Sequence, residues 1–100
     1  MSDLKINIPH KLSAGEATDR IKKLLTNLRT EHKDLIQNAS EEWEGSNGQF
    51  GFSVKGFDLA GTIRVSDSAV DINAKLPFAL SFFKGAISKV ITDKANELLV

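Results

Sequence analysis

Leu4, Ile6 and Ile8 alternate with Lys5 and Asn7. A period of two places successive side chains on opposite faces, so this run predicts a short, half-buried strand that Pro9 closes. Ser13 and Glu16 then form a capping-box pattern, in which each side chain can satisfy the other's free backbone N–H. Ala17, Ile21, Leu24, Leu25, Leu28, His32, Leu35 and Ile36 follow at helical spacings and form one stripe. One helix from Ala14 to about Gln37 would be about 36 Å long. Asn47-Gly48 reads as a hairpin turn, because Gly and Asn accept positive φ. Strands should flank it: Glu41 to Glu44 before, and Phe50, Phe52 and Val54 after. A further run alternates through Phe57, Leu59, Gly61, Ile63 and Val65, and another through Val70, Ile72, Ala74 and Leu76. Short turns join these runs, which predicts an antiparallel meander with one apolar and one wet face. Pro77 ends the last strand, and Phe78 to Leu99 reads as a second helix.

The order is therefore β-α-β-β-β-β-α over a single domain, residues 1–100. Its expected class is α+β, a two-layer sandwich with an antiparallel sheet and two helices packed on one face. By topology it looks like a shortened helix-grip fold, a comparison that carries little functional weight.

Leu, Ile, Val and Phe supply 30 of the 100 residues, enough for one core. Thirteen basic and thirteen acidic residues cancel, which argues against a nucleic-acid partner. The absence of Cys excludes disulfides, thiolate metal sites and thiol nucleophiles. No run approaches the roughly 20 apolar residues of a membrane span. The first residues lack the apolar centre of a secretory signal, so a soluble cytoplasmic protein is expected.

Few residues offer chemistry. His10 lies in the loop before the first helix and His32 on that helix's flank, and neither belongs to a ligand-spaced pair. On a strand Glu42 and Glu44 share one face and Glu41 and Trp43 the other, which reads as a solvated face rather than a cation site. No serine sits in a nucleophile-elbow context, and no Gly-rich loop joins a strand to a helix start. Gly61, in mid-strand, suggests a bend or a close crossing. No catalytic residue, metal or cofactor is expected.

The most informative stretch is Leu76 to Gly85, which holds Phe78, Phe82 and Phe83, three of the six phenylalanines. On an α-helix Leu80, Phe82 and Phe83 would span about 300° of the circumference, so they cannot all face one sheet. At least one either remains exposed or covers the open end of the core.

Four segments resemble the polyhydroxyalkanoic acid system family, also described as granule-region proteins. They are Ile6-Asn7-Ile8-Pro9-His10-Lys11-Leu12-Ser13 with Glu16-Ala17; Trp43-Glu44-Gly45; Gly56 to Val65; and Lys75-Leu76-Pro77-Phe78 through Phe83-Lys84-Gly85-Ala86-Ile87. The resemblance implies a bacterial protein linked to polyhydroxyalkanoate synthesis, use or granule surfaces, and it brings no catalytic residues. Pro9-His10 fits the family pattern at the mouth of the first helix.

The resulting expectation is a non-enzymatic binding module that contacts a polyester granule surface or a granule protein. Its binding candidates are Phe78, Leu80, Phe82, Phe83 and His10. The alternative is a carrier of an acyl chain or hydroxyacid, or a rudimentary enzyme, with an apolar pocket of at least about 300 Å³ between sheet and helices. A homodimer through an edge strand or the Phe cluster is a further expectation.

Overall fold

The alternating runs all place their large apolar side chains on one face of a five-stranded antiparallel sheet. The computed structural model describes residues 2–100. The chain runs β1 (Ser2–Pro9), α1 (Ala14–Ile21), α2 (Leu24–Glu31), β2 (Ile36–Glu44), β3 (Asn47–Val54), β4 (Phe57–Val65), β5 (Ala69–Leu76), a 3₁₀ turn (Phe78–Phe83) and α3 (Lys84–Leu99). The strand order is β1-β5-β4-β3-β2. The meander is thus as expected, and β1 closes its far side against β5. Leu4, Ile6 and Ile8 stand opposite Ala74, Ile72 and Val70, and all six are buried. The helices cover this face, whereas the other face carries polar and small side chains such as Lys5, Asn73, Thr62, Gln49 and Glu42. The class is α+β, in two layers.

The first helix is not continuous. Ser13 caps α1 by accepting from the Glu16 N–H, but Glu16 turns its carboxylate to Arg20 at 2.9 Å instead of reaching back. At Lys23 the backbone N–H donates to Arg20, three residues back, and α2 restarts at Leu24. Five strands about 4.8 Å apart span about 19 Å, so a straight 36 Å rod would overhang the sheet it must cover. The break keeps Ala17, Ile21, Leu24, Leu25 and Leu28 on the core. Leu35 and Ile36 fit the helical stripe, yet α2 stops at Glu31 and Ile36 opens β2 opposite Val54.

The hairpin turn also lies earlier than Asn47-Gly48. Glu44 pairs with Asn47, so Gly45-Ser46 forms the loop, with Gly45 at φ +62°. Gly48 is needed within the strand because the Trp43 ring lies over it, and a Cβ there would sit 2.9 Å from the ring. Farther along β2 the register shifts between Gln37 and Ser40, and Asn38 adopts φ +54°, as in a β-bulge.

Gly61 serves a close approach within the sheet rather than a helix crossing. A Cβ there would collide with the Asn73 carbonyl and come within 2.7 Å of the Phe50 ring and 2.9 Å of the Ala74 Cα.

The third difference is at Phe78–Leu99, whose first six residues form a 3₁₀ turn, with α3 beginning at Lys84. Ile87, Ile91, Ala95 and Leu99 are its buried apolar positions. Lys94 is buried on the same side, where its ammonium pairs with Glu31 of α2 at 2.5 Å and with Glu97 at 3.2 Å. The Glu31 hydrogen bond raises the Lys94 pKa above its ordinary 10.5, against the opposing effect of burial.

Space of the size the carrier reading requires lies at one part of the sheet–helix boundary and not at another: an open cleft of about 460 Å³ lies between β1 and the first turn of α3, lined by Asp3, Leu4, Lys5, Lys84, Gly85 and Ser88. The crevice between sheet and α3, lined by Leu35, Ile36, Phe52, Val54, Ile87, Val90 and Ile91, holds essentially 0 Å³ of space that water could occupy. The apolar side chains of sheet and helix interdigitate there.

Gly61→Ala is expected to destabilise the fold by about 1–3 kcal/mol, because two of the three clashes are with backbone that cannot rotate away. A urea titration measures it, and wild-type stability in the variant would refute the packing described here. Lys94 supplies a second expectation. Its folded pKa lies above its unfolded value, so its stabilisation is complete below about pH 10.5 and is lost as pH rises through the folded pKa. The difference in urea midpoint between wild type and Lys94→Met should therefore shrink in that alkaline range and stay level between pH 7 and 9.

Candidate functional site

A 3₁₀ turn stacks residues i and i+3 in columns. Over Phe78–Phe83 this makes three columns: Phe78 with Ser81, Ala79 with Phe82, and Leu80 with Phe83. Leu80 points into the core and is fully buried, and Phe83 below it is 37% exposed. The other two columns face outward, leaving Phe82 94% and Phe78 78% exposed. The turn is held by the Leu80 N–H donating to the Pro77 carbonyl at 2.9 Å and the Ser81 hydroxyl donating to the Phe78 carbonyl at 2.8 Å. Leu80 is therefore a plug, and the phenyls around it form an apolar tip.

The tip stands at the end of the sheet where β5 finishes and β1 begins. The β3–β4 turn reaches the same end. From it the Lys55 ammonium lies 5.2 Å from the centre of the Phe83 ring, within cation–π range. Phe57, which pairs with Val54 across that turn, is also 44% exposed.

His10 lies at the opposite end. Its backbone N–H donates to Ser68 at 2.9 Å. Its Nδ1 accepts from the Leu12 N–H at 3.0 Å, and its Nε2 lies 2.8 Å from the Ser66 carbonyl. This pairing assigns the proton to Nε2, which then donates to Ser66. Nearby, the Ala14 N–H donates to the Asp67 carboxylate at 3.2 Å. His10 thus staples the start of α1 to the β4–β5 turn. Seven residues of strand separate that end from the phenyl tip, about 23 Å. The candidates fall into two places: Phe78, Phe82 and Phe83 around the buried Leu80, and His10 alone among backbone partners.

The acidic residues of β2 do not converge. Glu42 and Glu44 are exposed on the polar face, and among the described residues no group of three His, Asp or Glu side chains comes together. That face does carry a shallow groove of about 490 Å³, bordered by Asp3, Lys5, Gln49, Thr62, Asn73 and Lys75 together with Leu4, Phe50, Ala60, Gly61 and Ala74, so that most of its lining is apolar. Sequence reasoning did not single it out, because alternation marks a face as polar without showing its curvature. Among the described residues no helix is long and apolar enough to cross a membrane.

Comparison with known proteins agrees with the segments first picked out by resemblance. The family model described as polyhydroxyalkanoic acid system protein, of the granule region, matches residues 4–99. No curated protein matches the chain. Among solved structures, TTHA0849 from Thermus thermophilus is 12% identical, with 98% of this chain and 92% of that one covered at a TM-score of 0.44. Ara h 8.0201 is 7% identical, with 98% and 97% covered at a TM-score of 0.44. From the first buried residue of β1 to the last of α3, the chain belongs to the polyhydroxyalkanoic acid system protein family.

Proposed function

We propose that this protein is a non-enzymatic binding module that attaches to polyhydroxyalkanoate granules, with the phenyl tip as its contact. The observation that carries the reading is the exposure of Phe78 and Phe82 on a turn whose Leu80 is locked in the core. A chain that can bury a plug so completely has no packing reason to leave two neighbouring phenyls in water. Membership of the family supports the choice of polyester as the surface. The site of action is then the cytoplasm, alongside the granules.

The size of the tip favours a polymer surface over a protein partner. Fully exposed phenylalanines offer about 200 Å² each, so Phe57, Phe78, Phe82 and Phe83 together present about 400–500 Å². Standard protein interfaces bury about 800 Å² on each side. A few side chains pressed into an apolar polymer need no matching shape. Each fully buried phenyl contributes about 2 kcal/mol.

Phe78→Ser with Phe82→Ser should lower partitioning onto purified polyhydroxyalkanoate particles by about 100- to 1000-fold, following the loss of two buried phenyls. The unfolding free energy should stay within about 0.5 kcal/mol, since both side chains are exposed. Leu80→Ala marks the contrast and should cost about 2–5 kcal/mol of stability. Co-sedimentation and urea denaturation read the two effects. Wild-type binding by the double serine variant would sink the proposal.

His10→Ala should behave in the opposite way to the tip variants. It releases the Leu12 N–H and the Ser66 carbonyl and should cost about 1–2 kcal/mol of stability. Particle binding by the folded variant should be unchanged, and a weakened affinity would move the contact surface to the other end of the sheet.

A further inference from the structure

We infer that β1 is a self-pairing edge: two copies of this chain join through antiparallel β1 strands, with Asp3 of each copy opposite Lys5 of the other and Leu4 on the two-fold axis. The two five-stranded sheets then run on as one. The contact requires neither Phe78 nor Phe82.

The backbone of β1 shows which groups are left over. The His10 N–H donates to the Ser68 carbonyl at 2.9 Å. Bonding direction alternates along an antiparallel strand, so Ile8, Ile6 and Leu4 also turn their N–H and C=O groups to β5. Asp3, Lys5, Asn7 and Pro9 turn theirs away from the sheet. Pro9, which has no N–H, falls on that outward side. No strand lies beyond β1, and among the described residues no backbone bond from outside the sheet reaches Asp3, Lys5 or Asn7. Nor does α3 close the edge. The cleft of about 460 Å³ runs beside Asp3, Leu4 and Lys5, with Lys84, Gly85 and Ser88 as its far wall. A Cβ on Gly85 would meet nothing within 4 Å, and Lys84 is exposed, with its ammonium in solvent.

An open edge invites another strand, and native sheets carry devices against it. The β2 edge has two. Its register breaks between Gln37 and Ser40, and it carries Glu41, Glu42 and Glu44 with no basic residue. β1 has neither device. It pairs with β5 without a break, and it exposes one acid and one base two residues apart. Among the described residues neither Asp3 nor Lys5 forms an ion pair. A two-fold axis matches residue i with j and j with i. Only the outward-turned residues can form bonded pairs, which limits the registers. An axis at Lys5 sets Lys5 against itself, and an axis at Ile6 sets Lys5 against Asn7. An axis at Leu4 sets Asp3 opposite Lys5 twice, and each pair exchanges both N–H···O bonds. Asp3 then lies between Lys75 of its own β5 and Lys5 of the second copy, so charges alternate across the junction.

The junction is smaller than a standard interface of about 800 Å² per side, so a weak dimer is expected, half-formed at about 0.1 mM. Sedimentation equilibrium of the full chain from about 10 µM to about 1 mM should show monomer and dimer only. Amide exchange at Asp3 and Lys5 should slow as the dimer fills. Asp3→Lys and Lys5→Asp each put like charges at both pairs and should weaken the dimer about 10- to 100-fold. Mixed in equal amounts, the two variants restore opposite charges at both pairs and should associate with each other as tightly as wild type does with itself. Lys5→Pro removes an outward N–H without touching the β1–β5 ladder and should abolish the dimer. Circular dichroism of each variant confirms the fold. A monomer at about 1 mM, a dimer unchanged in any single variant, or a mixture that stays monomeric would each overturn the inference. So would open-ended growth with concentration, which would instead set β1 on β2 of the next copy.

Discussion

The pairing of β1 with β5 is the contact on which the rest of the molecule depends. Its register sets Ile6 against Ile72 and Ile8 against Val70. A slip of one residue would turn every apolar side chain of β1 to the polar face, so the burial of Leu4, Ile6 and Ile8 specifies it. The same pairing decides what lies at each end of the sheet. Where β1 ends, His10 meets the turn that precedes β5. Where β1 begins, the chain leaves β5 through Pro77 and enters the phenyl-rich turn. A structural staple and a candidate contact surface are thus held at opposite ends by one ladder of hydrogen bonds.

The core is closed where β2 and β3 meet α3. The space between β2, β3 and α3 is filled by Ile36, Phe52, Val54, Ile87 and Ile91, with essentially 0 Å³ left for water. Among the described residues the one charged side chain drawn into the core layer, Lys94, is paired with Glu31 and Glu97 and fastens α3 to the end of α2. The phenyl tip differs from the groove across the sheet in placing whole phenyl side chains in water against the hydrophobic effect.

The tip also shows why the second helix starts as it does. Were residues 78–83 α-helical, Leu80 and Phe83 would be offset by about 60° around the helix axis. In the 3₁₀ turn they share a column, so Leu80 can plug the core while Phe83 lies half-buried beside it. Lys55 from the neighbouring turn then meets the Phe83 ring. The segment gives up regular α-helical hydrogen bonding for a closed core end, and the two remaining phenyls are displayed as a consequence.

Strands and their faces were legible in the chain, because alternation of apolar and polar residues has the period of the structure it encodes. The Ser13 cap, the stop at Pro77 and the single buried face follow from the same local rules, and the family is visible in four segments that keep their order. Other features required the fold. Leu35 and Ile36 suit a helix stripe as well as a strand, and only the demand of Val54 for a partner puts Ile36 in β2. Gly48 reads as a turn residue until the Trp43 ring is seen above it. Leu80 and Phe82 are equally apolar as letters, yet one is fully buried and the other 94% exposed. Local sequence sets which conformations a segment can adopt at low cost. The choice among them is made by contacts between residues far apart in the chain, and those exist only once the sheet has closed on β1.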